Sequence, residues 1–250
     1  MTLNAKPIFL WDNLLARPDA QLSATSSDPD HPVQYLADWR EYLTWRAGSG
    51  APQNIEVSFP EPKPARAMCI YNHNLSSVEN VTLSGSNNGS DWDEILSVNP
   101  TSDDPILKLF NQVSYRYYRL AMGMSMVCEI GLLFLGDYLE FPGWTAAGID
   151  PNQEDLILEK GKSEEGYLLG SVEKYRKRRI VLDFRYLSDS WVRNSFIPFW
   201  KSHLPRPFLF AWDHQNHSEE TYLVEVARPE LNLPYQPVYR SLRLELEGRV

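Results

Sequence analysis

Short apolar runs alternate along the chain with polar, Pro- or Gly-marked breaks, a rhythm that suits strands. "QNIEVSF" (53–59) sets Ile55, Val57 and Phe59 against polar neighbours, the period-two pattern of a half-buried strand. "ARAMCIYN", "ENVTLSG", "YRYYRLAMG" and "EIGLLFLG" follow, with turn signals between them. Strands joined in this way predict an antiparallel sandwich or barrel over residues 1–140. On the "YRYYRL" strand, Tyr118 and Arg116 share the parity of Leu120 and are expected on the core side. Tyr117 and Arg119 are expected to face out.

The periodicity lapses after Gly136. "DYLEFPGWTAAGIDPNQED" is mixed and Pro/Gly-bearing, which predicts a linker or embracing arm over 141–159. Residues 160–250 then read as a second β domain with one helix. "GYLLGSVEKYRKRRIVLDFRYL" gives two strands, and "RPFLFAWD", "ETYLVEVA" and "YRSLRLELEG" give three more. Between them, Trp191, Phe196, Phe199 and Trp200 recur at spacings that suit a helix over 188–204 with one apolar face. Ser188 or Asp189 can cap it, and Pro198 is expected to kink or shorten it. The fold class predicted is mainly β.

One stretch, "VTLSGSNNGSDWDEILSV" (81–98), places a very polar turn between two strands. Asn88-Gly89 is a strong hairpin signal, because both residues tolerate positive φ. Trp92 is expected as a core aromatic at the hairpin's base.

The run around this turn resembles the discoidin, or coagulation-factor C-type, domain of the galactose-binding-like jelly roll. The resemblance rests on Ser86, Asn88-Gly89 and Trp92, on the strand Tyr115 to Leu120, and on the closing Glu129-Ile130. Upstream, the Ser/Thr-rich stretch, the Asp-containing loop and Trp45 are similar too; together the likeness covers about residues 5–140. The family's Asp-Gly is Asp38-Trp39 here, and its end-to-end disulfide is missing. The resemblance implies an N-terminal jelly-roll sandwich that binds glycans, or in some branches phospholipids and proteins, through loops at one end. The corresponding loops are 38–45 and 71–80. Sugar recognition needs aromatic faces and planar polar groups for the hydroxyls. Trp39, Arg40, Tyr42, Asn72, His73 and Asn74 supply them. Asp38 stands where calcium-binding relatives place a ligand, but without the neighbouring glycine no metal is expected.

The second half, about 160–250, resembles the β-sandwich-plus-helix domain of bacteriophage tail-tube and distal-tail (baseplate) proteins. The likeness lies in element order: a Gly-bearing strand pair, the Trp/Phe-rich helix, the Pro-flanked "RPFLFAWD", then two strands. It implies a structural protein of a long-tailed phage tail tip, made in the host cytoplasm and carried in the virion. Its partners would be copies of itself in a ring, other tail proteins and a host-surface glycan. The alternative is a free-standing, lectin-like carbohydrate-binding protein, or an accessory binding region of a glycoside hydrolase.

Charge sharpens this picture. Of a formal net charge of −9, residues 1–140 carry −8 (9 Lys+Arg against 17 Asp+Glu) and residues 141–250 carry −1 (15 against 16). An acidic first half argues against nucleic acid or anionic membrane as a partner. The basic run "KYRKRR" (174–179) lies near Glu173 and Asp183 and reads as a solvated strand face. No apolar run approaches the ~18 residues of a membrane span, and no signal peptide is expected. Cys69 and Cys128 lie in apolar runs and read as buried free thiols. No zinc-like spacing, P-loop, or G-x-S-x-G appears, and the acidic residues fall mostly in turns. Neither a cofactor nor catalysis is expected.

Overall fold

The computed structural model describes residues 6–123, 126–236 and 238–249. It is mainly β. The strands are β1 (Ile8–Asn13), β2 (Gln21–Ala24), β3 (Trp45–Arg46), β4 (Gln53–His73), β5 (Asn80–Ser86), β6 (Asp93–Val98) and β7 (Ile106–Gly123). They continue with β8 (Glu129–Glu140), β9 (Glu154–Lys162), β10 (Leu168–Ser188), β11 (Phe208–Ala211), β12 (Thr221–Val226), β13 (Tyr235–Gln236) and β14 (Tyr239–Arg249). Hydrogen bonds join them in the order β6-β5-β7-β4-β8-β1-β11-β12-β14-β10-β9, with β2 on β4, β3 on β8 and β13 on β14.

The first strand is the seam. β1 pairs antiparallel with β8 on one side (Phe9 opposite Leu139) and with β11 on the other (Phe9 opposite Phe210). Its alternation feeds two different cores. Ile8 and Leu10 pack with Ala67, Cys69, Phe134 and Leu209, while Phe9 packs with Phe141, Phe199, Phe208 and Phe210. A third cluster, around Trp45, Met68, Tyr118 and Ile130, fills the first half. The unbroken apolar runs of β4 and β8 follow from this placement. Cys69 faces the seam while Met68 and Ile70 face the first core, and Phe134 and Leu133 divide likewise. Strands buried on both faces lose the alternation that marks a half-exposed one. Gly136 belongs to the same junction: a Cβ there would overlap the backbone oxygen of Asp12. Asn13 closes the end of β1, donating to the Leu133 carbonyl at 2.9 Å and accepting from Leu135 N at 3.2 Å.

Other expectations meet the structure unevenly. "PEPKP" (60–64), the Pro-marked break between the runs "QNIEVSF" and "ARAMCIYN", stays extended inside the 21-residue β4. The proline φ suits extended backbone, and the register with β7 skips from Ser58 to Lys63, so Pro60 and Pro62 fall outside the ladder while Pro64 stands opposite Ser114. The 81–98 hairpin forms, with Gly89 at φ +77°. Trp92 is not a core residue: it is half-buried, with the Arg119 guanidinium 3.7 Å from its ring centroid. β6 is a sheet edge with one face open to solvent, so the ring stacks under an arginine that also pairs with Glu56 at 2.8 Å. The β7 parity places Tyr118 and Leu120 inward as expected, whereas Arg116, Tyr117 and Arg119 are all half-buried. Tyr118 and Leu120 are buried, and the Tyr118 hydroxyl donates to the Lys63 carbonyl at 2.6 Å.

The helix α1 spans 189–203. The Ser188 hydroxyl oxygen caps it, accepting from Trp191 N at 3.2 Å. Val192–Phe196 widens into a π-turn, closed by Ile197 N to the Val192 carbonyl, immediately before Pro198 opens the last segment Ile197–His203. A proline lacks the N–H that would continue the α ladder, and the wider turn accommodates it without ending the helix. Phe196 and Phe199 enter the second core. Residues 141–153 form neither strand nor helix, and from Glu154 the chain enters β9. Both cysteines are free and buried; burial pushes the thiol of Cys128 up to about 12 and that of Cys69 higher still.

Candidate functional site

The loop 38–42 faces the second half of the molecule across an open groove of about 790 Å³. One wall is Trp39, Arg40, Glu41 and Tyr42. The other comes from β10 (Glu173, Tyr175, Arg176, Lys177), from β12 (Leu223, Val224, Glu225) and from the end of β14 (Glu247, Gly248, Arg249). These strands meet there because β1 brings β8 beside β11 and thus the two halves edge to edge.

Two aromatic side chains stand out into solvent, Tyr42 at 70% exposure and Tyr175 at 57%. Trp39, at 9%, lies deeper. Its indole meets the His203 ring edge-on at 5.3 Å and lies 6.5 Å from Phe134, so it packs into the seam and contributes to the groove from below. Burial holds His203 below its ordinary pKa, and its Nε2 lies 2.7 Å from the Pro207 carbonyl, to which it donates when neutral.

Most charged groups of the groove are held in ion pairs. Arg40 pairs with Asp38 at 2.6 Å, and that hydrogen bond holds the Asp38 carboxyl below its usual range. Arg176 pairs with Glu173 at 3.0 Å and Glu154 at 3.5 Å. Lys177 pairs with Glu247 at 2.7 Å, and its hydrogen bond to that carboxylate raises its pKa. Arg249 reaches Glu41 at 3.4 Å across the junction. Guanidinium–carboxylate pairs of this kind present fixed planar donors beside acceptors, with little net charge.

The sequence-derived residues therefore separate. Trp39, Arg40 and Tyr42 come together in the groove. Asn72 lines a neighbouring cleft of about 630 Å³ that shares Glu41 and Arg249 with the first. It sits at φ 55°, a conformation Asn tolerates, and its Nδ2 donates to the Glu41 carbonyl at 2.9 Å, steadying the loop. His73 is buried, which lowers its pKa, and its Nδ1 accepts from Leu75 N at 3.2 Å. Asn74 is spent on β8: its Oδ1 accepts from Glu129 N at 2.7 Å and its Nδ2 donates to the Val127 carbonyl. Neither His73 nor Asn74 lines the groove. The second-half wall was not anticipated. The one signal for it was Tyr175, an aromatic inside the charged run "KYRKRR". Among the described residues, no group of three or more His, Cys, Asp or Glu side chains is arranged to hold a metal.

No protein-family model matches the chain, and no curated protein does. Solved structures do. The Clostridium perfringens module CpGH89CBM32-5, in complex with GalNAc-β-1,3-galactose, is 16% identical with a TM-score of 0.43. The match covers 49% of this chain and 99% of that one. A chitosan-binding module derived from a chitosanase/glucanase of Paenibacillus sp. IK-5 is 17% identical with a TM-score of 0.43, covering 50% and 98%. A Ruminococcus gnavus GH29 fucosidase in complex with fucose is 12% identical with a TM-score of 0.45. There 52% of this chain matches 27% of the enzyme. In each case about half of this chain lies outside the match.

Proposed function

We propose that the chain is a non-catalytic carbohydrate-binding protein whose ligand lies in the groove between the 38–42 loop and β10, β12 and β14. The observation that carries this reading is the convergence of exposed Tyr42 and Tyr175 on one groove with the paired Arg40, Arg176 and Arg249. Tyrosine rings offer flat apolar faces to sugar C–H groups, and fixed guanidinium and carboxylate groups meet hydroxyls as donors and acceptors. A glycan array followed by calorimetry on the full chain tests the reading. Tyr42→Ala and Tyr175→Ala are each expected to weaken binding about tenfold or more while leaving the melting temperature unchanged. Saturable binding that neither substitution affects would move the site elsewhere, and the absence of binding to any glycan would remove the reading.

The tail-tip role is a second reading. Its support is the projecting hairpin of β9 and β10, whose Leu156, Tyr167, Leu168, Leu169 and Val172 stand in solvent in the single chain. A structural protein would bury them against neighbours. Light scattering tests it: a high-order ring in solution favours the tail assembly.

A further inference from the structure

β9 is the terminal strand of the sheet and, among the described residues, pairs only with β10. N-terminal to Lys177, β10 has no β14 partner, so residues 156–176 form a two-stranded ribbon outside the body of the sheet, with Glu154 and Asp155 at its base. A lone two-stranded ribbon is marginal in water, and an open edge is a template for further pairing. This one also exposes Leu156 (44%), Leu158 (38%) and Val172 (68%), with Tyr167, Leu168 and Leu169 at its tip.

We infer that β9 pairs antiparallel with β9 of a second copy of this chain, about a two-fold axis at Leu158. The sequence Glu154–Lys162 is complementary to itself in that register at its centre and at its two ends, with Ile157 opposite Glu159 between them. Leu158 meets Leu158 of the second copy, Leu156 meets Lys160, and Asp155 meets Gly161. Glu154 faces Lys162 twice, once on each side of the axis. Residues opposite one another then have the same parity along the strand. The N–H and C=O groups that point away from β10 therefore point at their counterparts. Opposite charges at facing positions stabilise a strand pair, and like charges destabilise it. Residues 154–177 carry six acidic and five basic side chains, so two copies meet almost without repulsion while the acidic first halves stay apart. The two ribbons become one four-stranded sheet, and each apolar tip comes against the base of its partner's ribbon.

The test is the mass of the full chain in solution, by sedimentation velocity over a range of protein concentrations and without sugar. Wild type is expected to be a dimer. Lys162→Glu and Glu154→Lys, made singly, each set like charges opposite one another and are expected to weaken the dimer about tenfold. The double variant E154K/K162E restores the pairs in reverse and is expected to recover the wild-type mass. A merely structural role for either side chain predicts no such recovery. A monomer at every concentration overturns the pairing. So does a larger ring, or a dimer that the single changes leave intact or the double change fails to rescue.

Discussion

The strand β1 and the β9–β10 ribbon belong to one sheet and lie at opposite extremes of burial. β1 has a partner on each edge and a core on each face; Ile8, Phe9 and Leu10 are fully buried. The ribbon has both edges open and solvent on both faces. Both are apolar in sequence: "IFLW" in β1, and "LIL" with "YLL" in the ribbon. Hydrophobic content alone therefore does not say whether a strand stabilises its own fold or waits for something to cover it. Topology decides, because β1 is drawn between β8 and β11 whereas β9 is the last strand added.

The contrast can be broken in several ways. Phe9 contacts Phe208 at 4.6 Å, Phe141 at 4.9 Å and Phe199 at 5.4 Å between ring centroids. Phe9→Ala is expected to cost about 3–5 kcal/mol and to lower one cooperative melting transition. Two separate transitions in calorimetry would mean that the seam does not couple the halves. Gly136→Ala forces a Cβ into the Asp12 carbonyl at the β1–β8 junction. Its expected cost by chemical denaturation is about 1–3 kcal/mol.

Acid is expected to act at the seam before it acts on the ribbon. Burial is the largest influence on His203 and lowers its pKa, Arg206 lowers it further, and the Pro207 carbonyl and Asp12 oppose them. The unfolded chain then takes up a proton more readily than the folded one, so stability falls as pH drops below about 6.5 toward the depressed folded value. His73 and His214 shift the same way. Melting temperature followed across that window should decline, and His203→Leu should flatten part of the slope whatever it does to the plateau. A slope that His203→Leu leaves unchanged would assign the effect to the other two histidines. The smallest effect belongs to the ribbon. Val172→Ser is expected to change the stability of the chain by less than about 0.5 kcal/mol, because the side chain has little burial to lose.

Much of the architecture was legible along the chain, for local reasons. Ile55, Val57 and Phe59 alternate because one face of that part of β4 is wet, and the β7 parity placed Tyr118 inward by the same rule. Ser188 caps α1 because its hydroxyl reaches the first orphan N–H groups, a short-range event. Asn88-Gly89 turns the 81–98 hairpin because Gly89 takes a positive φ. Half of the groove was legible too, since Arg40 and Tyr42 are exposed residues of a single loop. What tertiary structure alone decided depends on contacts between distant residues. "PEPKP" turns or stays extended according to whether β7 lies beside it. Trp92 became an arginine platform because its hairpin ended at a sheet edge. Trp39 went down into the seam because His203, 164 positions further on, packs against it. The groove's second wall exists only because the first strand of the chain pairs with β11, setting Tyr175 and Arg176 across from Tyr42; no spacing along a sequence encodes a partner that far away.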